Sequence, residues 1–437
     1  MRFRTCCART RALAGPPPRG PQLDPFLGAP LSSSPIDPGR ARLALWGLVA
    51  ATVADSFGAT MILPILPLFV RHAGASYAEV GLVTAVFWAA GLAVRYPVGK
   101  LSDRIGRKGL ILGSQAIYAA ATATFALSPS PLWFVVLRAV QGAAAGAATV
   151  LAMAAVADFV PNERRGRAYG SLTGANMAGT VVGPLIGAAL FQISLAATFL
   201  ASAGTALVVG AVILFTLPAL SPTAHQSQLD YTPTSLWRDP IIQGVTIAST
   251  AVGLLIGMYD TVWSLLMHVR HATDLEIGLS FTLFALPFTI GSWPAGWLAD
   301  HMDNRWLIGI SALASGCFAI AYPFLPNPAW LIGLGIFEGV FTVTGSPARL
   351  AMLSRRVHPS QMGRVQGLYG SAQVGAAAIA SLVAGTLFGL GISLPFIATA
   401  IAMWLSALVL VPLWHGVDGH PRTAGQTVSE PPGPTSL

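Results

Sequence analysis

The chain has 437 residues, 54% of them hydrophobic and only 10% charged, with a formal net charge of +8. So little charge excludes an ordinary soluble domain, where roughly a quarter of residues are charged. The apolar runs are too long and too even for the alternating strands of a barrel, which leaves membrane-spanning helices. The arginine excess then reads as a topology signal in loops and not as a nucleic-acid surface. Cys6, Cys7 and Cys317 form no disulfide framework or metal-ligand pattern. No nucleophile–base pair is visible either, so the chain reads as no enzyme.

Residues 1–40 carry Arg2, Arg4, Arg9, Arg11 and Arg19 with Pro16-Pro17-Pro18 and Ser32-Ser33-Ser34. That composition cannot bury a core, so a disordered basic tail is expected. An organelle transit peptide is the other reading; a cleaved secretory signal lacks its apolar region. From Leu43 twelve apolar segments follow, at about 43–70, 78–100, 108–127, 131–157, 166–190, 194–217, 241–268, 276–299, 305–325, 328–354, 363–390 and 392–414. Each is long enough for a hydrocarbon core of about 30 Å. The expected organisation is a six-helix half over 41–217, a polar, proline-bearing linker over 218–240, a second six-helix half over 241–414 and a disordered tail over 415–437.

Most basic residues fall in alternate loops on one side: Lys100 to Lys108, Arg164, Arg165, Arg167, Arg238, Arg305, Arg355, Arg356 and Arg364, with the amino-terminal tail. The opposite loops hold only Arg71 and Arg270 as strong bases. The positive-inside rule therefore places both termini in the cytoplasm.

The halves repeat one another. Glu79-Val80-Gly81-Leu82 recurs as Glu276-Ile277-Gly278-Leu279, an offset of 276 − 79 = 197. The same offset carries Pro97 to Pro294, Gly99 to Gly296, Leu101 to Leu298, Asp103 to Asp300, Gln141-Gly142 to Glu338-Gly339, and Gly166-Arg167 to Gly363-Arg364. A constant register that includes charged positions is not a composition effect. Two parallel six-helix repeats place substrate between them, near the membrane midplane. At this point the chain resembles the major facilitator superfamily.

The loop Gly99-Lys100-Leu101-Ser102-Asp103-Arg104-Ile105-Gly106-Arg107-Lys108, home of both lysines, matches that family's pattern between its second and third helices at Gly99, Leu101, Asp103, Arg104, Gly106, Arg107 and Lys108. A phosphate-binding loop is excluded, because Val94 and Leu101 stand where Gly and Ser or Thr are required. A lipid anchor explains the bases but not Asp103 or the glycines. The resemblance implies a cytoplasmic gate. Asp103 would meet the start of the eleventh helix near Gly363, and Arg107 would pair with Asp158 at the end of the fourth. The second copy has His301, Asp303 and Asn304 in place of Arg104, Gly106 and Arg107, so a weaker latch is expected there. Arg95, one turn before Gly99, reads as part of the same gate.

In the fifth segment Gly170, Gly179, Gly183-Pro184 and Gly187 resemble the antiporter signature of proton-coupled drug exporters, with Ala188 replacing a final glycine. Small-residue helix packing is the plainer reading. Arg138-Ala139-Val140-Gln141-Gly142 resembles the family's Arg-x-x-Gln-Gly motif. A charge there costs about 2.5–3.5 kcal/mol on insertion scales, so Arg138 faces a cavity or partner, or else snorkels to the interface.

Three acids lie within membrane segments: Asp55, Asp260 and Glu338. A carboxyl carried into the membrane holds its proton more firmly and can exchange it as a cavity changes sides. Asp55, shortly before Leu63-Pro64-Ile65-Leu66-Pro67, resembles the first-helix acid of tetracycline and multidrug exporters and is the first choice of proton carrier, with Glu338 and Arg138 as further coupling candidates. Asp260, Tyr259 and Gln141 are the substrate-binding candidates; Asp260 and Glu338 have the alternative of pairing structurally with Arg138 or Arg349.

The expectation is an all-α integral membrane protein of twelve helices in two parallel halves, a monomer in the plasma membrane, exporting a small amphipathic molecule in exchange for protons. The proton gradient supplies the energy, with no cofactor, metal or nucleic acid. Two alternatives stay open: an importer of a sugar or organic acid on the same fold, and a non-transporting receptor or scaffold.

Overall fold

The computed structural model describes residues 38–125, 127, 130–160, 162–218, 237–357 and 359–416. The tail up to residue 37, residues 219–236 of the linker and the tail from 417 lie outside the described residues, and with them the disorder expected there. In the first half the helices are α1 (Pro38–Met61), α2 (Leu66–His72), α3 (Tyr77–Ile105), α4 (Arg107–Phe125), α5 (Pro131–Phe159), α6 (Asn162–Ile193) and α7 (Leu195–Thr216). In the second they are α8 (Pro240–Val269), α9 (Asp274–Ile290), α10 (Ser292–His301), α11 (Asn304–Ala321), α12 (Pro328–Thr342), α13 (Gly345–Arg356), α14 (Pro359–Leu390) and α15 (Leu394–Leu413).

Among the described residues ten stretches are long and apolar enough to cross a membrane, and α9 with α10, meeting at a 47° bend, make an eleventh. The twelfth is α4, whose 19 residues span about 28 Å but whose apolar character is diluted by Arg107, Lys108 and Gln115. The chain is an all-α integral membrane protein of twelve spans. Three spans that the sequence presents as continuous are broken, each beside proline. Pro64 and Pro67 lie at the α1–α2 break, Pro287 precedes the α9–α10 bend, and Pro347 occupies the first turn of α13. Proline lacks the N–H that a continuous helix needs, yet is tolerated where a helix starts, so each break restarts cleanly.

The internal repeat is realised in space. Glu79 and Glu276 close matching capping boxes at the starts of α3 and α9: the Ser76 N–H donates to Glu79 Oε2 at 2.6 Å, and the Thr273 N–H to Glu276 Oε2 at 2.8 Å. The repeated glycines that follow, Gly81 and Gly278, sit where α3 crosses α14 and α9 crosses α6. A Cβ on Gly81 would lie 2.6 Å from the Ser381 carbonyl, and one on Gly278 2.7 Å from the Pro184 carbonyl. Subtracting 197 from 381 gives 184, so the two seams between the halves use corresponding residues.

These seams close only one end of the molecule. At the end away from the tails, a single apolar cluster draws on both halves, with Ile62, Leu66, Phe125, Phe134 and Phe199 from one and Met258, Trp263, Tyr322 and Phe396 from the other. At the tail end each half has its own cluster, around Leu48, Leu151 and Ile213 in the first and Ile242, Ile308 and Leu353 in the second. Apart from the helix's own backbone, no atom of the described residues lies within 4 Å of where a Cβ on Gly166, Gly170 or Gly174 of α6, or on Gly363, Gly367 or Gly370 of α14, would sit. The halves therefore touch at the far end and part at the tail end.

Candidate functional site

Close helix contacts aim the polar side chains. On α6, a Cβ on Gly179, Gly183 or Gly187 would overlap backbone of α1 at Val53, Phe57 and Met61. Their absent side chains let α1 lie deep in the groove of α6, which faces Asp55 toward α4. There the Gln115 amide donates from Nε2 to Asp55 Oδ1 at 3.0 Å. On the neighbouring face of α1, Asn176 Nδ2 donates to Ser56 Oγ at 2.7 Å. The antiporter-like glycines thus seat the helix that carries the first-choice acid. Gly170 lies in the open part of α6 and joins no such contact. Ala188 packs against Gly278 of α9, whose missing side chain makes the room that a glycine at 188 would otherwise make.

A second close contact joins α5 to α3, with Gly142 and Gly146 against backbone at Phe87 and Gly91. It brings the Arg138 guanidinium 4.1 Å over the Phe87 ring, a cation–π contact. Arg138 is only 9% exposed and does not snorkel. Its Nη1 donates to Gln141 Oε1 at 3.2 Å, and Gln141 Nε2 donates onward to Thr122 Oγ1 at 2.7 Å. Gln141 is fully buried and off the cavity wall, where it orients Arg138.

Asp55, Arg95, Arg138 and Asp260 share one cavity of about 290 Å³ with Phe87, Trp88, Tyr118 and Asn176. Asp260, on α8, stands beside the Trp88 indole and within electrostatic reach of Arg138. None of the four forms an ion pair within 4 Å among the described residues. A second cavity of about 300 Å³, on the tail side of the first half, is lined by Thr52, Gln115, Thr149, Thr173 and Asn176 and also reaches Asp55. Arg95, which the sequence assigns to the gate, faces the central cavity.

Glu338 and Tyr259 form a separate, closed arrangement. Glu338 is fully buried on α12 and outside both cavity walls. Tyr259 donates its hydroxyl to the Glu338 carboxylate at 2.9 Å, and Tyr322 donates at 2.6 Å. Trp263 packs its ring 4.7 Å from that of Tyr322. Tyr322 and Gln115 carry no motif that would mark them in the sequence; each is found only through the acid it contacts.

At the tail end the charged loop is half assembled. Gly106 closes α3 at φ +88°, a backbone region that disfavours side chains. Directly after it, Arg107 reaches Asp158 at 2.7 Å and Asp103 at 3.7 Å. Lys108 Nζ donates to the Leu214 carbonyl at 2.7 Å. Asp103 itself is 67% exposed; α14 begins at Pro359, a turn before the start expected near Gly363, and the space beside Gly363 is open. Arg104 and Gly99 lie on the last turns of α3; among the described residues Arg104 forms no ion pair, and Gly99 has only Val150 of the first half nearby. In the second half the positions of Arg107 and Asp158 hold Asn304 and Arg355, and Arg355 donates to the Ala299 carbonyl.

Twelve spans in two repeated halves around a charged midplane cavity define a membrane transporter. The family model of the Major Facilitator Superfamily matches residues 48–259 and 245–436, and the chain belongs to that superfamily. A class E tetracycline resistance protein of Escherichia coli is 28% identical over 353 residues, covering 76% of this chain and 85% of the relative. The human synaptic vesicular amine transporter is 28% identical over 304 residues, covering 67% of this chain and 56% of its own length. Among solved structures, the nucleoside transporter NupG superposes with a TM-score of 0.71 at 11% identity, covering 85% of this chain and all of that one. A bacterial homologue of the human lysosomal transporter Spinster, in an inward-facing and occupied conformation, does so with a TM-score of 0.67 at 14% identity, covering 86% and 96%. The chain is a multi-pass membrane transporter of small molecules and not an enzyme, and within its superfamily it resembles the drug:proton antiporter type.

Proposed function

We propose that the chain exports small amphipathic, drug-like molecules from the cytoplasm in exchange for protons. It works as a monomer in the plasma membrane with both termini cytoplasmic, and the proton gradient is its sole energy source. Residues 41–217 and 241–414 are the two halves that rock about the midplane cavity, joined by the 218–240 linker. The observation that carries this reading is the place of Asp55. It is a carboxylate within a membrane-spanning helix, held by one hydrogen bond from Gln115 and reached by two cavities at once. A group so placed can give its proton to one opening while substrate occupies the other. The 28% identity to a tetracycline resistance protein supports the export direction. The tail-end opening supports a cytoplasm-facing state, with the loop around Asp103, Arg107 and Asp158 closing it in the other state.

Everted vesicles energised with a proton gradient are expected to accumulate a cationic dye, and Asp55→Asn to abolish that uptake at unchanged protein level. Uptake by the variant equal to that of the parent would remove Asp55 from the mechanism.

A further inference from the structure

The central cavity brings two acids and two arginines together without pairing them. Arg138 spends one hydrogen bond on Gln141 and lies over Phe87, and Arg95, on the same wall, has no hydrogen bond or ion pair among the described residues. Both Nε atoms are buried without a partner. Charged groups withdrawn from water and left unpaired are costly, and mutual ion pairs are the usual remedy. Here the glycine contacts that fix α1 on α6 and α5 on α3 hold the four groups apart. The bonding capacity they have left, including both Nε atoms, is what a molecule carrying both signs would meet in the cavity.

We propose that the cavity recognises zwitterionic amphipathic molecules, with a carboxylate or similar planar oxyanion taken by Arg138 and Arg95 and an ammonium taken by Asp55 and Asp260. Guanidinium groups suit the first role, because their fork matches a carboxylate with two parallel hydrogen bonds. The acids suit the second, because a bound ammonium replaces the proton charge that they release. Phe87 and Trp88 supply apolar surface beside the charges. The cavity has the volume of a small ligand site, at the lower end of the range of about 300–1,000 Å³. Glu338 takes no part, being sealed by its two tyrosines.

This inference rests on the exporter reading, and its test is separate. Three probes share one fluorophore: Nε-dansyl-lysine, which is a zwitterion, its methyl ester, which is only a cation, and its Nα-acetyl derivative, which is only an anion. Binding to the purified full-length protein is read by energy transfer from tryptophan, Trp88 being on the cavity wall. The zwitterion is expected to bind about tenfold or more tighter than either derivative, the scale of one charged hydrogen-bonded contact. Arg138→Gln is expected to erase the difference between zwitterion and ester while leaving ester binding in place. Equal affinities for the three probes in the unaltered protein, a preference for the ester, or no measurable binding of the zwitterion would each overturn the proposal, and none requires a variant to fold. The cationic-dye experiment with Asp55→Asn decides the exporter reading independently.

Discussion

The two halves share a backbone plan and differ in what they do with an acid. In the first half Asp55 opens onto two cavities and holds a single hydrogen bond, whereas in the second Glu338 is fully buried and receives the hydroxyls of Tyr259 and Tyr322. Glu338 stands at the position of Gln141, 197 residues on, and the following glycines make the same contact, Gly142 with Phe87 and Gly339 with Phe284, again 197 apart. The scaffold is therefore copied and the chemistry is not. An acid on the copied position is compensated internally, and the cavity-facing acid sits on α1, where the mate on α8 is Val252. The proposed coupling role suits an acid whose charge the protein leaves for something else to satisfy better than one whose charge it satisfies itself.

The comparison breaks most readily at Glu338. Replacing it with Ala removes the acceptor of both tyrosines and leaves two buried hydroxyls unpaired, at about 1–3 kcal/mol each, or about 2–6 kcal/mol in total. Gln141→Ala is expected to cost less, about 1–3 kcal/mol, since Arg138 loses one acceptor but keeps its contact with Phe87, and Thr122 loses one neutral donor. Thermal unfolding of the purified proteins ranks the two. A smaller loss at Glu338 than at Gln141 would mean that the tyrosine cage is not structural.

The copied contact supplies the next test. Gly142→Ala would drive a methyl into the Phe87 carbonyl and adjacent backbone, while Gly339→Ala meets the Phe284 carbonyl at 2.7 Å and the Pro287 ring at 3.0 Å or more. Overpacking of this kind costs about 1–3 kcal/mol, with Gly142 expected at the upper end and Gly339 at the lower. Equal losses would show that α5 and α12 yield equally and that the first-half contact is no tighter. Gly142→Ala is also expected to displace Arg138 and lower transport, an effect that Gly339→Ala lacks.

Next in size is the seam between α6 and α9. Gly81 faces Ser381 and Gly385 on one side of the molecule, and Gly278 faces Pro184 and Ala188 on the other. Gly278→Ala is expected to destabilise the protein by about 1–3 kcal/mol, because its new methyl meets the Ala188 methyl at 2.5 Å. Adding Ala188→Gly is expected to recover part of that loss, leaving a net cost of about 1 kcal/mol, since the Pro184 carbonyl remains close. Strict additivity of the two losses in a double-mutant cycle would disprove the coupling.

Much of this was legible in the residues. The offset of 197 marks pairs such as Glu79 and Glu276 or Gly142 and Gly339, because the repeat preserves helix starts and close contacts, which tolerate few residue types. The departure at Ala188 has its reason in a partner helix, which no local motif displays. The direction of each acid was not legible either. A helix such as α1, apolar on nearly every face, has no stripe that distinguishes inside from outside, so Asp55 and Glu338 look alike in the sequence. Only Gln115 in one case, and Tyr259 with Tyr322 in the other, separate an acid left open from one that is closed. The three breaks in the spans lie beside proline, whose signal is present but ambiguous, since proline inside α3 and α6 breaks neither helix.

The smallest effect on stability is expected at Asp103. It is 67% exposed, pairs with Arg107 at 3.7 Å, and has no ion pair with the second half among the described residues. Asp103→Asn therefore alters unfolding by less than about 0.5 kcal/mol, as for an exposed pair. Transport is a different matter under the proposed gate, in which Asp103 meets the start of α14 when the tail end closes. The unpaired N–H groups at a helix start favour a carboxylate by about 0.3–1 kcal/mol at the surface. Losing that preference shifts a balanced two-state equilibrium about two- to fivefold toward the open state. Asp300, its mate 197 residues on, lies on α10 with Asn304 and Arg355 where the first half has the Arg107–Asp158 pair. Asp300→Asn is expected to change transport less than Asp103→Asn in the same vesicles, and equal losses from both would show that the two ends of the gate act alike.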